Sequence, residues 1–150
     1  MILNENGINH NESEKINIDW MYVHPLKSPS LIEEFEKQFN FNFPNEYKEC
    51  VLKYNDGFPS NKYKFDTEKT REHVFKTLLS FNKKDEETIW NFNNINDEYL
   101  RNTYIAFAID FYENKIAFNK DDNSIHLIYH ETNDISYVAD SFSSFINSLY

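Results

Sequence analysis

The 150-residue chain carries 25 Asp+Glu against 15 Lys+Arg, a formal charge of −10, and 40% of its residues are hydrophobic, with 14 Phe and 10 Tyr among its aromatics. A single domain of this length buries roughly 70% of the surface that its unfolded chain exposes, so the aromatics supply a core and the composition is not that of a disordered acidic tail. Arg occurs only at Arg71 and Arg101 and no basic run exceeds Lys83-Lys84; without a cationic surface to release phosphate counterions, direct nucleic-acid binding is not expected.

Glycine is equally restrictive, because only Gly7 and Gly57 are present. Dinucleotide fingerprints, Walker loops and the nucleophile elbow of α/β-hydrolases all need several glycines at fixed spacing, so none of these sites is encoded. Cys50 is the sole cysteine, which rules out an intramolecular disulfide framework and a Cys-rich zinc cluster. The first residues have neither a basic n-region nor an apolar h-region. The longest purely apolar run, Ile105 to Ile109, is far short of the ~20 residues of a membrane span. The expectation is a cytoplasmic protein with no membrane association.

Taken in chain order, residues 1–19 form a polar leader rich in Asn and Glu, and the domain is expected over 20–150. Ser28-Pro29-Ser30 predicts a helix start, with a Ser cap and Leu31, Ile32, Phe35 and Phe39 on one face. After Phe43-Pro44, a second helix carries Tyr47, Cys50, Val51 and Tyr54 at i, i+3, i+4 and i+7. It is expected to stop at Asn55-Asp56-Gly57, with Gly57 as the left-handed terminator and Pro59 preventing resumption. Residues 63–66 read as a short strand. Phe75, Thr77, Leu79 and Phe81 alternate as in a strand, with a helix through His73 to Leu79 as the competing reading. Asp85-Glu86-Glu87 looks like a helix N-terminal turn leading into Ile89, Trp90 and Phe92.

The final third is more regular. Tyr104 to Ile109, Lys115 to Phe118, Ser124 to Glu131 and Ile135 to Val138 are β-favouring runs separated by Asp/Asn-rich turns, a pattern that predicts an antiparallel meander. A closing helix follows, capped by Asp140 or Ser141 and burying Phe142, Phe145, Ile146 and Leu149. The expected fold class is α+β, with two N-terminal helices and a C-terminal helix packed on a mainly antiparallel sheet.

Several short motifs stand in order along the chain: Trp20…Pro25, the helix with Ile32 and Glu36, Phe43-Pro44-x-x-Tyr47-Lys48 and Tyr54-Asn55-Asp56-Gly57-x-Pro59. They continue with Leu78-Leu79-x-Phe81, Ile105-Ala106-Phe107-Ala108-x-Asp110, Asn114-x-Ile116-x-Phe118 and Val138-Ala139-Asp140-Ser141-Phe142-x-x-Phe145. As an ordered set they resemble the SUKH superfamily, the Smi/Knr-type proteins that include bacterial toxin-immunity proteins and fungal cell-wall-synthesis regulators. Two departures stand out. The family commonly has Gly-Gly where this chain has Asp56-Gly57, and a glycine where it has Glu113, which suggests a different hairpin turn there. The resemblance implies a non-enzymatic cytoplasmic protein that binds and neutralises a cognate polymorphic toxin, or else a regulatory or scaffold module of the cell-wall type.

Other candidate chemistry has a simpler account. His126 and His130 lie four residues apart, but in a strand that spacing is roughly 13 Å, too far to share one ion. His24 and His73 have no ligand-spaced neighbours, so no metal and no cofactor are expected. Cys50 sits on an apolar stripe where desolvation raises a thiol pKa, and Ser141 with Asp140 suits a helix cap better than a hydrolase. The 25 acidic residues offer many carboxylate pairs, which read as a solvated surface. Trp20 and Trp90 are read as core residues because no Lys/Arg is interleaved with them. No catalytic residue is assigned. Contacts to a basic protein toxin are expected on turns: Asp85, Glu86 and Glu87 before the central helix, Asp110, Tyr112 and Glu113 in one hairpin, and Asp121 and Asp122 in the next.

Overall fold

A computed structural model describes residues 17–150 of the chain; the expected leader falls mostly outside the described residues. Contacts begin at once, since Asn61 Nδ2 donates to the Asn17 carbonyl (2.8 Å) and the Asp19 N–H donates to Asn61 Oδ1 (2.9 Å). Residues 17–19 therefore lie against the domain that was expected to start at Trp20. Strand β1 (Trp20–Met21) pairs antiparallel with β2 (Phe58–Pro59).

Helix α1 (Ser30–Phe39) buries Ile32 and Phe35. Its N-cap is Pro29, which has no side chain to offer, and the Ser28 hydroxyl instead accepts from the Ser30 N–H at 3.3 Å. The helix ends on Asn40 in the left-handed region, φ 52°, a conformation that Asn tolerates better than most residues. Glu36 then ties this end to the next helix by accepting from the Phe43 N–H (2.8 Å) and pairing with Lys48 (3.1 Å). Helix α2 (Asn45–Tyr54) buries Tyr47 and Val51. The thiol of Cys50, beside them, is pushed up to about 12 by burial, with Lys53 opposing weakly, so it packs as a small hydrophobe.

The end of α2 corrects one expectation. Asp56, at φ 67°, takes the left-handed turn, and Gly57 does not have positive φ. Gly57 is required for a different reason: a Cβ there would lie 2.7 Å from the Tyr54 carbonyl oxygen and 3.1 Å from Cε3 of Trp20.

The main sheet has the order β3-β4-β5-β6-β7-β8, every neighbour antiparallel. Its strands are β3 (Lys64–Phe65), β4 (His73–Leu78), β5 (Tyr104–Asp110), β6 (Lys115–Asn119), β7 (Ile125–Ile128) and β8 (Ile135–Ala139). The strand reading of 73–78 wins over the helical one because Phe75, Thr77 and Leu78 pair along β5. Between Phe75 and Thr77 the register shifts and leaves Lys76 as the extra residue; such a bulge re-aims a side chain. Asp85-Glu86-Glu87 is not helical. Thr88 caps the short α3 (Ile89–Phe92) by accepting from the Asn91 N–H, and a further helix, α4 (Glu98–Thr103), capped by Asp97, precedes β5. Helix α5 (Phe142–Ser148) is capped by Ser141, not Asp140.

These elements enclose one aromatic core. Tyr47 meets Phe107, Phe118 and Phe142 edge-on at 5.4–5.6 Å between centroids, and Phe75 stacks on Phe145 of α5 at 5.7 Å. Edge-to-face contacts of this kind add roughly 0.5–1.5 kcal/mol each beyond area burial. Strong curl brings the two edges of the sheet toward one another. At β8, Glu68 donates its N–H to the Tyr137 carbonyl (2.9 Å) and accepts the Tyr137 N–H on its carboxylate (2.9 Å). At β3, the backbone of Tyr150 exchanges hydrogen bonds with Lys64, 2.8 and 3.0 Å.

Candidate functional site

The segment that leaves α2 organises one end of the sheet through a buried amide. Asn55 donates Nδ2 to the His24 carbonyl and to Ser80 Oγ (both 2.9 Å), and its Oδ1 accepts from the Phe81 N–H (2.9 Å). The Thr77 hydroxyl donates to the Asp56 carbonyl (2.9 Å). On the other side of the lead-in, Asn82 Oδ1 accepts from the Lys27 N–H (2.8 Å) and its Nδ2 donates to the Pro25 carbonyl (3.0 Å). These bonds tie residues 24–27, the end of α2 and the loop after β4 together.

Charged groups distant in sequence meet there. His24 Nδ1 lies 2.6 Å from Asp56 Oδ2 and 3.7 Å from Asp85 Oδ2, and Glu87 pairs with Lys76 Nζ at 2.6 Å. Desolvation pushes Asp56 up to about 6; the hydrogen bond and charge of His24 oppose the shift, while Asp85 and Glu87 add to it. His24, Asp56 and Asp85 are the only described group of three whose ligand atoms converge as a metal would need, all within 4.8 Å. Those atoms are already engaged, because Asp56 Oδ2 holds His24 and Asp85 Oδ2 accepts the Ser80 hydroxyl (2.6 Å). Sequence spacing missed this group, since its members come from three separate segments.

Beside the carboxylates runs a row of incompletely covered rings. Tyr22, 73% exposed, tilts against Phe58 at 6.1 Å, and Phe58 meets Phe111, 53% exposed, edge-on at 6.3 Å. Lys76 Nζ stands 6.0 Å from the centre of the Phe111 ring. Together Tyr22, Phe58 and Phe111 with His24, Asp56, Lys76 and Glu87 line an open cleft of about 340 Å³. Its walls are apolar rings and its rim is acidic, the combination that protein-binding surfaces use at their energetic centres.

The residues nominated from sequence divide between the two ends of the sheet. Glu87 lines the cleft, Asp85 stands next to its His24, with Oδ2 3.7 Å from Nδ1, and Glu86 is exposed between the two acids. Tyr112, 83% exposed, and Glu113 lie on the β5–β6 hairpin directly after Phe111. Asp110 is a correction: it is 1% exposed and accepts from the N–H groups of Tyr112 and Asn114 and from Asn114 Nδ2, all at 2.9 Å, so it builds the turn and is closed to a partner. Glu113 corrects the expected change of turn, because it adopts φ 64°, the conformation glycine would supply. Asp121 and Asp122 occupy the β6–β7 turn at the opposite end, where Asp122 accepts from the N–H and hydroxyl of Ser124.

The profile of the SMI1 / KNR4 family (SUKH-1) matches residues 28–148. The chain belongs to that family. As a SUKH-1 member it is of the domain type that includes toxin-immunity proteins. Among curated proteins, comparison with the chain gives no match. The matched span covers α1 to α5 and the whole main sheet; Tyr22 and His24, which complete the cleft, precede it. No described helix of this SUKH-1 domain is long and apolar enough to cross a membrane. His126 lies on β7 between the rings of Tyr104 and Tyr137, whereas His130 is in the turn beyond the strand.

Proposed function

We propose that this SUKH-1 protein is a non-enzymatic immunity protein that binds a cognate polymorphic toxin in the cytoplasm and blocks it stoichiometrically. The observation that carries the reading is the row of rings Tyr22, Phe58 and Phe111, the outer two exposed and Phe58 half-buried between them, set among Asp56, Asp85 and Glu87. Exposed aromatics anchor protein interfaces, and surrounding carboxylates select a basic partner. A chain of net charge −10 adds a long-range field that speeds encounter with a cationic toxin, such as a nuclease domain with a basic substrate groove, and loses that advantage at high salt.

Co-expression with the C-terminal domain of the large open reading frame adjacent to this gene tests the reading. Rescue of growth and co-purification as a stoichiometric complex are expected. Rescue without association would overturn sequestration, and neither result beside a wall-synthesis gene neighbourhood would favour the regulatory role. Turnover abolished by Asp56→Asn in a folded protein would replace binding with catalysis.

A further inference from the structure

We propose that the cleft between Tyr22, Phe58 and Phe111 receives one arginine side chain of the partner protein, with its guanidinium among Asp56, Asp85 and Glu87. This rests on the toxin-binding reading and adds to it the chemical group recognised. The cleft is open and about 340 Å³, near the lower limit of small-molecule sites, which suits one long side chain better than a chain segment. Its rings provide flat apolar faces for methylenes and for a planar cation.

The charge around it is unbalanced. Three carboxylates gather from two segments, and the groups facing them are the Lys76 ammonium, which is committed to Glu87, and the His24 imidazole, which bonds Asp56. An added cation relieves the repulsion between Asp56 and Asp85. Lys76 already demonstrates the mode of binding, since its ammonium sits at once 2.6 Å from a carboxylate and 6.0 Å from the centre of the Phe111 ring. Guanidinium fits better than a second ammonium, because it stacks on rings, is weakly hydrated and presents several donors in a plane to separate carboxylates.

The test titrates the full-length isotope-labelled protein with acetyl-arginine-amide, and in parallel with the lysine and the neutral citrulline analogues, following backbone amide shifts. The arginine analogue is expected to move His24, Phe58, Lys76 and Phe111 most, with a Kd on the order of 10 mM. The lysine analogue should bind at least about threefold more weakly and citrulline should produce no saturable shift. Phe111→Ala should weaken arginine binding about fivefold or more; if that variant does not fold, Asp85→Asn serves the same purpose. Three results overturn the proposal: no shift at about 50 mM, equal shifts with citrulline, or shifts as large at Asp121 and Asp122 as in the cleft. Sedimentation showing a dimer that Phe111→Asp abolishes would assign the cleft to a second copy and equally overturn it. Failure of toxin rescue would leave the arginine titration standing, and failure of the titration would leave rescue standing, so the two readings fall separately.

Discussion

The two ends of the main sheet carry similar charge and different chemistry. At the β6–β7 end, Asp121 and Asp122 are exposed, and the nearby surface is a polar groove of about 1090 Å³ lined by Glu33, Glu36, Asn40, Lys120 and Asn123. At the β5–β6 end, carboxylates stand beside Tyr22, Phe58, Phe111 and Tyr112, which have no full cover. Water solvates the first arrangement at no cost, whereas exposed rings and partly dry carboxylates persist against stability. Acidity alone therefore does not distinguish the two ends, and incompletely covered rings beside it do.

The strongest way to break the contrast is to remove what holds the cleft end together. Asn55→Ala deletes three side-chain hydrogen bonds and strands buried partners, so a loss of roughly 3 kcal/mol is expected in urea unfolding. The counterpart Asn119→Ala, which removes one exposed turn bond to the Asp121 N–H, is expected to cost about 1 kcal/mol or less. Comparable losses would mean that the two ends are equally built. Binding sharpens the contrast next. Replacing Phe111 and Tyr112 by Ala is expected to weaken affinity for the co-purified toxin about 30-fold or more, while alanines at Asp121 and Asp122 change it less than about threefold. Calorimetry on both pairs decides which end touches the partner.

A smaller effect separates charge from backbone. Asp56 is held near 6 against an ordinary 3.8, so the folded state keeps its proton more tightly than the unfolded chain. Its contribution to stability is full below the unfolded value and is lost as pH rises through about 6. Asp56→Asn should therefore raise Tm at pH 7 by about 2 °C, less than the full shift implies because the carboxylate is partly wetted. The gain should vanish toward pH 4. An equal gain at both pH values would assign it to the easier left-handed backbone of Asn. Smallest of all, Glu113→Gly should stabilise by about 0.5 kcal/mol, and Asn123→Gly, at φ 63° in the far turn, by no more than a few tenths.

Much of this could be read from residues. The β-favouring run from Tyr104 to Ile109, buried at every position, and the i, i+3, i+4 stripe of Phe142, Phe145 and Ile146 point to the meander and the last helix, because a short unbroken apolar run bounded by turns suits a covered strand and a 3.6-residue period suits burial on one helix face. What escaped was contact between distant segments. Nothing near His24 in sequence announces Asp56 or Asp85, and Asp110 reads like any turn acid until its three donors are seen. Gly57 was chosen correctly for the wrong reason: composition shows that a side chain is absent, not whether torsion or a neighbouring indole demands it.

The hydrogen bonds of Glu68 with Tyr137 and of Tyr150 with Lys64 bear on what kind of recognition is open to this molecule. A free strand edge invites any extended peptide to lengthen the sheet through backbone groups that are the same in every sequence. With Lys64 and Tyr137 engaged by its own chain, each margin offers fewer free backbone groups to that indiscriminate pairing. On the proposed toxin-binding reading, discrimination among partners falls to side chains, and a few substitutions around the cleft would retarget the scaffold without disturbing its strands.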